Sequence, residues 1–369
     1  MRTILFLTPY VPSSRAGGEN FTRLLLKELS INFKIDLIYY RYVDDPSYVC
    51  PNGNVRVVKE IVNSTKVKLT NWLQYPTIHP IFAIRFNWSL LKFIKELIKN
   101  NSYDLLYLDH SQMGLYGKYF PNIKKVLMSH DVMTQRYSRN GNWLTKKLIV
   151  AGERKIMTNQ NQIVFSFSEK DRKIIKDTYK IDSKVTHFFL DESLVNAIPR
   201  EIEKRIVFFG KWKRPDNFDG LKWFFDNVYD KINKSIKIAI IGKWLPEQFE
   251  SEIKKLENVE YLGFVDNPYP IIANSIATIS PLFSGAGVKV KVIESLVCGT
   301  PVIGNIIAFE GIVGDYPKFM IIADSADEYA KAIRECTISV NERVKFKTDF
   351  ISDYTSETIP QFLNKILKQ

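Results

Sequence analysis

The sequence predicts an α/β protein made of two doubly wound domains, each built on a parallel sheet. Short apolar runs rich in Val, Ile, Phe and Tyr alternate with segments of helical period, which is typical of strand–helix–strand units. The 369 residues are about twice the length of a usual domain. A polar connector containing Pro199 interrupts the alternation at residues 191–204, so we expect the domains to meet there.

The first domain is predicted over residues 1–195, and it opens with five strands and the helices between them. The strands are predicted at 3–10, 34–42, 104–110, 124–130 and 162–168. Helices are expected at 19–30 and 89–99, among others. A second series, residues 196–345, has predicted strands at 205–211, 237–243, 259–265, 277–282, 301–305 and 319–323. Residues 346–369 are expected to form a C-terminal helix that caps the second domain or crosses back to the first.

The composition limits the kinds of partner that this protein could bind, but it does not identify one. A net charge of +12 and 13% aromatic residues indicate an anionic partner, which could be a nucleotide, a nucleic acid or a membrane surface. A chain that is merely rich in lysine would look the same. The three scattered cysteines have no metal-ligand spacing, and we predict a reduced, cytoplasmic protein without structural zinc. There is no apolar run of membrane-spanning length and no signal-peptide pattern.

The stretch SGAGVKVKVIESLVCGTPVIG, residues 284–304, carries the most specific chemistry. It follows a predicted strand, and Gly285 and Gly287 allow a turn that a ligand can approach closely. The helix predicted at 288–297 would offer unpaired N–H groups and a partial positive charge, which suit a phosphate. In open α/β sheets ligands bind beyond the carboxyl ends of the strands, here expected to face a cleft between the domains.

Lys289, Lys291 and Glu294 add charge to this helix start. A lysine neutralises phosphate oxygens, whereas a carboxylate beside a phosphate is repulsive unless it binds neutral hydroxyls, such as a ribose diol. We therefore predict a nucleoside diphosphate, with its phosphates on the glycine turn and Lys291 and its ribose on Glu294. An ordinary surface Lys–Glu pair on an amphipathic helix remains the alternative.

The segment GAGVKVKVIESLVCGTPVIGNIIAFEGI closely resembles the nucleotide-binding segment of family 4 glycosyltransferases, which are retaining enzymes of the GT-B fold. The glycine-alanine-glycine turn and the later Glu310-Gly311-Ile312 resemble a bacterial polysaccharide or lipopolysaccharide subgroup. Many members have two glutamates seven residues apart, the first contacting the donor sugar and the second the ribose. Glu294 matches the second, but Ala286 occupies the first position.

The resemblance implies further residues in the second domain. The stretch RIVFFGKWKRPDNFDGLKWF resembles the family's first strand, loop and helix of the nucleotide domain, which places Gly210 and Lys211 at the donor. One or two of the following cations neutralise the leaving diphosphate, and Lys213 and Arg214 are the candidates. In YLGFVDNPYPIIANS, the backbone around Phe264 is expected to border the base. The alternatives are a solvated basic loop and a core phenylalanine.

In the first domain, Gly17 and Gly18 resemble the family's glycine loop near the donor phosphates or acceptor, with Arg15 a weaker candidate. His130 ends a predicted strand and resembles the family's histidine near the reacting sugar. His110, at another strand end, is its rival, and either could be a structural histidine. No role is assigned to Glu153, because an acid at a helix start is expected from the helix dipole alone.

The resemblance to this family implies a hexosyltransferase. Such an enzyme would transfer a sugar from a nucleoside diphosphate sugar to a saccharide or lipid-linked saccharide, with retention of configuration. Lysines and the helix end would serve without a metal or other cofactor. Residues 64–100 alternate basic residues with Trp72, Phe82, Phe86, Trp88 and Phe93, which suits an anionic membrane surface and a peripheral location on the inner face, or else simply a core. A nucleotide-sugar epimerase and a nucleic-acid-binding protein are the alternatives; no nucleic-acid motif is present.

Overall fold

A computed structural model describes residues 1–15, 17–140, 142–285, 287–355 and 358–368. The chain forms two compact units, Met1–Phe189 with Glu357–Gln369, and Leu190–Ser356. The sequence places the boundary at residue 195 and the start of a separate C-terminal segment at 346. In the structure the first unit ends at residue 189, and the chain returns to that unit at residue 357.

The first unit is built on a parallel sheet. Its strands are Arg2–Thr8 (β1), Phe33–Tyr42 (β2), Val55–Asn63 (β3), Leu105–Asp109 (β4), Lys125–Met128 (β5), Gln162–Ser166 (β6) and Lys184–Val185 (β7). The order is β3-β2-β1-β4-β5-β6-β7, and every pairing is parallel. β1 and β4 are buried almost throughout, which explains their unbroken apolar sequences.

Two of these strands are absent from the sequence-based assignment. β3 reads VRVVKEIVN, and most of its residues are only partly buried because it lies at the edge of the sheet. It therefore lacks the continuous apolar run by which the other strands are recognised. β7 has two residues, too few for any periodic signal.

Helices flank this sheet. They are Gly17–Leu29 (α1), Thr65–Leu73 (α2), Pro80–Ala83 (α3), Trp88–Asn100 (α4), Gly114–Gly117 (α5), Met133–Asn140 (α6), Trp143–Met157 (α7) and Glu169–Tyr179 (α8). α1 buries Phe21, Leu25 and Leu29 on one side, as its apolar spacing predicts. The last helix of the chain also belongs to this unit, where Phe362 packs against Phe165 of β6.

The second unit repeats the architecture with six strands. They are Glu203–Phe209 (β8), Lys237–Ile241 (β9), Val259–Gly263 (β10), Ser275–Ser280 (β11), Val302–Gly304 (β12) and Met320–Ile322 (β13). The order is β10-β9-β8-β11-β12-β13, again with parallel pairings. All six correspond to strands expected from the sequence, with ends that differ by a few residues.

The helices of this unit begin in the connector and end near residue 354. They are Glu192–Val195 (α9), Pro215–Asn227 (α10), Glu247–Ile253 (α11), Tyr269–Ala273 (α12), Val290–Val297 (α13), Ala326–Glu335 (α14) and Val340–Tyr354 (α15), followed in the first unit by Ile359–Lys368 (α16). Lys347 of α15 donates to the carbonyls of Leu194, Ala197 and Val297. This buried ammonium fixes the connector and the carboxyl end of α13 to one another.

Each sheet reverses its strand order at one place, which is where open α/β sheets bind ligands. In the first unit the reversal lies between β1 and β4, which end at Thr8 and Asp109. In the second it lies between β8 and β11, which end at Phe209 and Ser280. Across the described ranges, no helix is both long and apolar enough to cross a bilayer.

Candidate functional site

The glycine turn of the second unit follows β11 directly. Gly285 and Gly287 have φ values of +110° and +70°, which side-chain-bearing residues rarely adopt. α13 begins at Val290, two residues after the predicted start, because Lys289 is its extended N-cap residue. The Lys289 Nζ donates to the Gly287 carbonyl at 2.6 Å and lies 4.0 Å from Glu310, so this lysine braces the turn. Ala286 lies outside the described residues.

Lys291 lies in the first turn of α13 and points toward the loop after β8. Its Nζ donates to Asn217 Oδ1 at 3.0 Å, and the amide of Asn217 donates to the Lys211 carbonyl. Burial lowers the pKa of Lys291 to about 7; Arg214 and Lys289 act in the same direction, and Asp216 opposes them. A bound phosphate would stabilise the charged form of this lysine, because its negative charge replaces the solvation that burial removes.

Glu294 lies one turn further along α13. Its Oε1 accepts a hydrogen bond from the Tyr269 hydroxyl at 3.1 Å. Burial raises the pKa of Glu294 to about 7, although the Tyr269 hydroxyl acts against this. The Tyr269 hydroxyl therefore holds the carboxyl group in a fixed direction, and the second oxygen of that group can act as an acceptor for a neutral hydroxyl.

The basic loop after β8 brings the predicted cations to the same sheet reversal. Lys211 lies 4.7 Å over the ring of Trp244, and Arg214 pairs with Asp216 at 2.6 Å. Lys213 is exposed. A Cβ at Gly242 would lie 1.7 Å from the Gly210 carbonyl oxygen, so only a glycine fits where the chain after β9 passes the end of β8.

Phe264 follows β10 and is 59% exposed, so it is not a core residue of the sheet rim. Gly263 before it has a φ of +61°, and Lys243 lies 4.2 Å above the phenyl ring. An exposed ring beside a positive charge at a sheet edge is a surface on which a base could stack.

In the first unit, His130 lies against the end of β4. Its Nε2 is 2.8 Å from Asp109 Oδ1, and both side chains are buried. Thr8 and Thr22 donate to the other carboxylate oxygen at 2.8 and 2.7 Å. Burial alone would raise the pKa of Asp109, but the two neighbouring histidines and the Thr22 hydroxyl outweigh it and lower the pKa to about 2.

His110 stacks on His130, with ring centroids 3.4 Å apart and planes 9° from parallel. Its φ of 64° and ψ of 150° fall in a region that is essentially restricted to glycine, and such strain clusters at functional sites. Burial lowers the pKa of His110 to about 3, so it is neutral near pH 7. The sequence presented the two histidines as rivals, whereas the fold brings them together.

Gly18 closes over this pair. A Cβ there would lie 3.2 Å from His110 Cε1 and 3.4 Å from His130 Nδ1. The glycine is needed for this close approach. Gly17 begins α1 beside it, whereas Arg15 is directed to Asp45, with its Nη1 at 2.7 Å.

Asp109, His110 and His130 also offer ligand atoms within 4.8 Å of one another. An imidazole nitrogen binds a metal along the lone pair in its own ring plane. An ion shared by two parallel, stacked rings would lie outside both planes. The arrangement fits a hydrogen-bonded pair better than a metal centre.

Glu153 lies inside α7 and not at the helix start expected from the sequence, and it holds the chain that follows His130. It is fully buried and accepts from the backbone N–H groups of Met133 and Thr134 at the start of α6, and from Tyr179. Burial raises the pKa of its carboxyl group. Glu153 is therefore a structural residue of α7 that caps the start of α6.

Sequence reasoning missed the partners of the site residues. Asn217, Tyr269 and Asp109 each hold one predicted residue in place, and each is distant from it in sequence. Asp109 had one available signal, since it directly precedes His110 at the end of a buried strand. Asn217 and Tyr269 had none, because helix positions of ordinary composition do not reveal what they face.

Residues 203–337 match a family model described as glycosyl transferases group 1. The chain is also 25% identical over 139 residues to an uncharacterized 44.6 kDa protein in the cps region of Klebsiella pneumoniae. That alignment spans 35% of this chain and 36% of the other protein, so it covers about a third of each.

Solved structures resemble the whole chain. Sucrose-phosphate synthase from Thermosynechococcus elongatus has a TM-score of 0.74 at 14% identity and covers 100% of this chain and 99% of its own. HepE from Anabaena in complex with UDP has a TM-score of 0.69 at 14% identity, with full coverage of both chains. WaaG, a glycosyltransferase involved in lipopolysaccharide biosynthesis, has a TM-score of 0.65 at 11% identity and covers 99% of this chain and 98% of its own. These likenesses confirm the predicted GT-B fold.

Proposed function

Since residues 203–337 form a group 1 glycosyltransferase domain, we propose that this protein transfers a sugar from a nucleoside diphosphate sugar to a saccharide or lipid-linked saccharide, with retention of configuration. One observation carries the proposal. Within the matched domain, the glycine turn, Lys291 and Glu294 lie together at the strand-order reversal where such sheets bind ligands. The cps-region relative supports a part in cell-surface polysaccharide synthesis, and the domain match favours transfer over an epimerase.

The chemical work of this site is to stabilise a leaving diphosphate whose charge grows in the transition state. The N–H groups at the start of α13 and the ammonium of Lys291 are fixed before the substrate arrives, and the exposed Lys213 and Arg214 can approach from the neighbouring loop. A single fixed donor of this kind can be worth about 3 kcal/mol. The departing phosphate oxygen can accept the proton of the acceptor hydroxyl, and the reaction as proposed needs no metal or other cofactor.

The nucleotide is identified by thermal unfolding of the protein with UDP, GDP and ADP, followed by the corresponding sugar conjugates. A ligand that binds only the folded state stabilises it by about 2.7 kcal/mol at 100 times its dissociation constant. We expect one base to raise the melting temperature clearly more than the others, and HepE complexes with UDP and UDP-glucose make uridine the first choice. The absence of a shift with UDP, GDP, ADP and all of their sugar conjugates would contradict the proposal.

Retention is tested without knowing the acceptor. Water takes the place of the acceptor when the donor is incubated alone with the protein, and proton NMR reads the anomer of the first sugar released. The proposal predicts the same anomeric configuration as in the donor. Release of the opposite anomer would contradict retention and leave the transferase assignment intact.

We also propose that the first unit contacts an anionic membrane surface. Of the five aromatic residues predicted for this role, Phe82 and Phe86 are core residues, and Trp88 is 47% exposed. Trp88 adjoins the end of α2, where its backbone N–H donates to Gln74, and α2 exposes Leu69 and Leu73. We call Leu69, Leu73 and Trp88 the patch; α2 and α4, to which these residues belong, also carry exposed lysines at positions 66, 92, 95 and 99.

Flotation with vesicles decides the membrane proposal. The wild type is expected to float with vesicles that contain anionic lipid and to remain below with neutral ones at the same moderate salt. Replacing the three patch residues by serine should abolish flotation, because both the apolar contact and its anchoring aromatic are lost. Equal flotation of the variant, or none by the wild type, would reject the patch as a membrane contact.

A further inference from the structure

We infer that Asp109 is a positioning residue that fixes His130 as the tautomer protonated on Nε2, so that the bare Nδ1 accepts a hydrogen bond from a substrate hydroxyl. The tautomer follows from the contacts of this chain alone. Only the last step, that the hydroxyl belongs to a sugar substrate, rests on the proposed function.

The carboxylate of Asp109 has its two oxygens assigned. Oδ1 faces His130 Nε2 at 2.8 Å, and Oδ2 accepts from the hydroxyls of Thr8 and Thr22. Because the depressed pKa of Asp109 keeps the group ionised, it has no proton to donate. The proton in the contact with His130 therefore belongs to Nε2, and in the neutral ring Nδ1 carries the lone pair.

The ring of His130 is held in orientation by its neighbours. His110 stacks on one face, and Phe21 and Phe167 meet the ring at steep angles with centroids 5.3 and 5.2 Å away. His110 does not compete for the carboxylate, because its Nε2 is 3.8 Å from Asp109 Oδ2. Rotation of the imidazole would break both the stack and the bond to Asp109.

The other nitrogen of the His130 ring is Nδ1. No hydrogen bond within the described ranges reaches His130 Nδ1, and His130 borders a pocket that Tyr10, Gln112 and Arg136 also line. Gly18 adjoins Nδ1, and the lack of a side chain there keeps the approach open. An acceptor nitrogen beside a pocket that is lined in part by polar side chains suits the hydroxyl of a sugar.

Replacing Asp109 by asparagine is expected to invert the tautomer. The two threonine hydroxyls donate to the position of Oδ2, so they would hold the amide oxygen there and turn the NH2 group toward His130. An N–H donor opposite Nε2 requires a lone pair on that atom. The proton would then move to Nδ1, which becomes a donor, as happens to the histidine of serine proteases after the same replacement.

Nitrogen-15 NMR of the histidine rings tests this directly, because the chain has only four histidines and single substitutions assign them. In the wild type at neutral pH, we expect protonated Nε2 in His130, with an N–H signal protected from water by the buried carboxylate. In Asp109→Asn we expect protonated Nδ1. Asp36→Asn is the matched control: Asp36 is also buried in this sheet but bonds to Arg56, and the change should leave His130 as in the wild type.

The kinetic readout separates positioning from folding. Asp109→Asn should lower kcat about 10- to 100-fold, because the substrate hydroxyl then loses its acceptor, with nucleotide affinity within twofold of wild type. A protonated Nδ1 in wild-type His130, an unchanged tautomer in Asp109→Asn, or unchanged kcat would each overturn the inference. The wild-type spectrum decides even if the variant does not fold. If no sugar transfer is found while the tautomers behave as stated, the proposed function fails and the positioning of His130 stands.

Discussion

Replacing Lys291 by alanine is expected to lower kcat for sugar transfer by about 100- to 1,000-fold, because loss of one preorganised donor to a developing charge costs that much. The structure holds this ammonium group against Asn217 in the first turn of α13, at the point where we place the diphosphate. Initial rates with the donor found by the nucleotide screen provide the measurement. Lys222→Ala is the matched control, since Lys222 is an exposed lysine of the same unit that pairs with Asp226.

The same residue should make nucleotide binding depend on pH. Burial lowers the pKa of Lys291 to about 7 in the free protein, well below its ordinary value. A bound diphosphate favours the charged lysine, so binding takes up a proton, and affinity should fall as the pH rises from 7 to 9. Lys291→Arg remains charged throughout and should show a flatter profile by calorimetry. Parallel profiles in the two proteins would contradict a phosphate contact by Lys291.

Replacing Glu294 by alanine is expected to weaken binding of the matching nucleoside diphosphate by about 10- to 100-fold, the usual worth of hydrogen bonds to a charged group. The physical reason is the loss of the acceptor that Tyr269 holds in place for the ribose. Calorimetric titration measures the change. Glu260→Ala, an exposed acid on β10, controls for the lost negative charge.

A deoxynucleotide identifies the ribose as the partner. If Glu294 binds the diol, the wild type should bind the 2′-deoxy nucleotide more weakly than the ribonucleotide, and Glu294→Ala should bind both alike. This comparison isolates the pairwise interaction, as a double-mutant cycle does. An alanine variant that still discriminates between the two sugars would remove Glu294 from the ribose site.

Eleven of the described strands follow from the sequence almost directly, since parallel strands buried on both faces must be continuous apolar runs. Ile4 to Leu7 of β1 and Leu105 to Leu108 of β4 are fully buried and read that way. The edge strand β3 was not predicted, because charged residues interrupt its apolar sequence where the edge of the sheet faces solvent. Strand recognition is therefore most direct where burial is complete, although the partly buried edge strands β10 and β13 were also recognised.

The candidate site was predictable to the extent that its chemistry is local. Gly285, Lys291 and Glu294 lie within ten residues of one another, and a helix start after a strand gives their spacing a meaning. The contacts of His130 could not be read in this way. Its partner Asp109 is held in turn by Thr8 and Thr22, and only the fold brings these side chains, which come from separate elements, to one carboxylate.

The most direct test of the account is a crystal structure of this protein with the nucleoside diphosphate that the screen selects. The account predicts diphosphate oxygens within hydrogen-bonding distance of Lys291 Nζ and the backbone N–H groups between Gly287 and Val290, with both ribose hydroxyls at Glu294. A nucleotide bound elsewhere, with Lys291 still bonded only to Asn217 and Glu294 only to Tyr269, would contradict it.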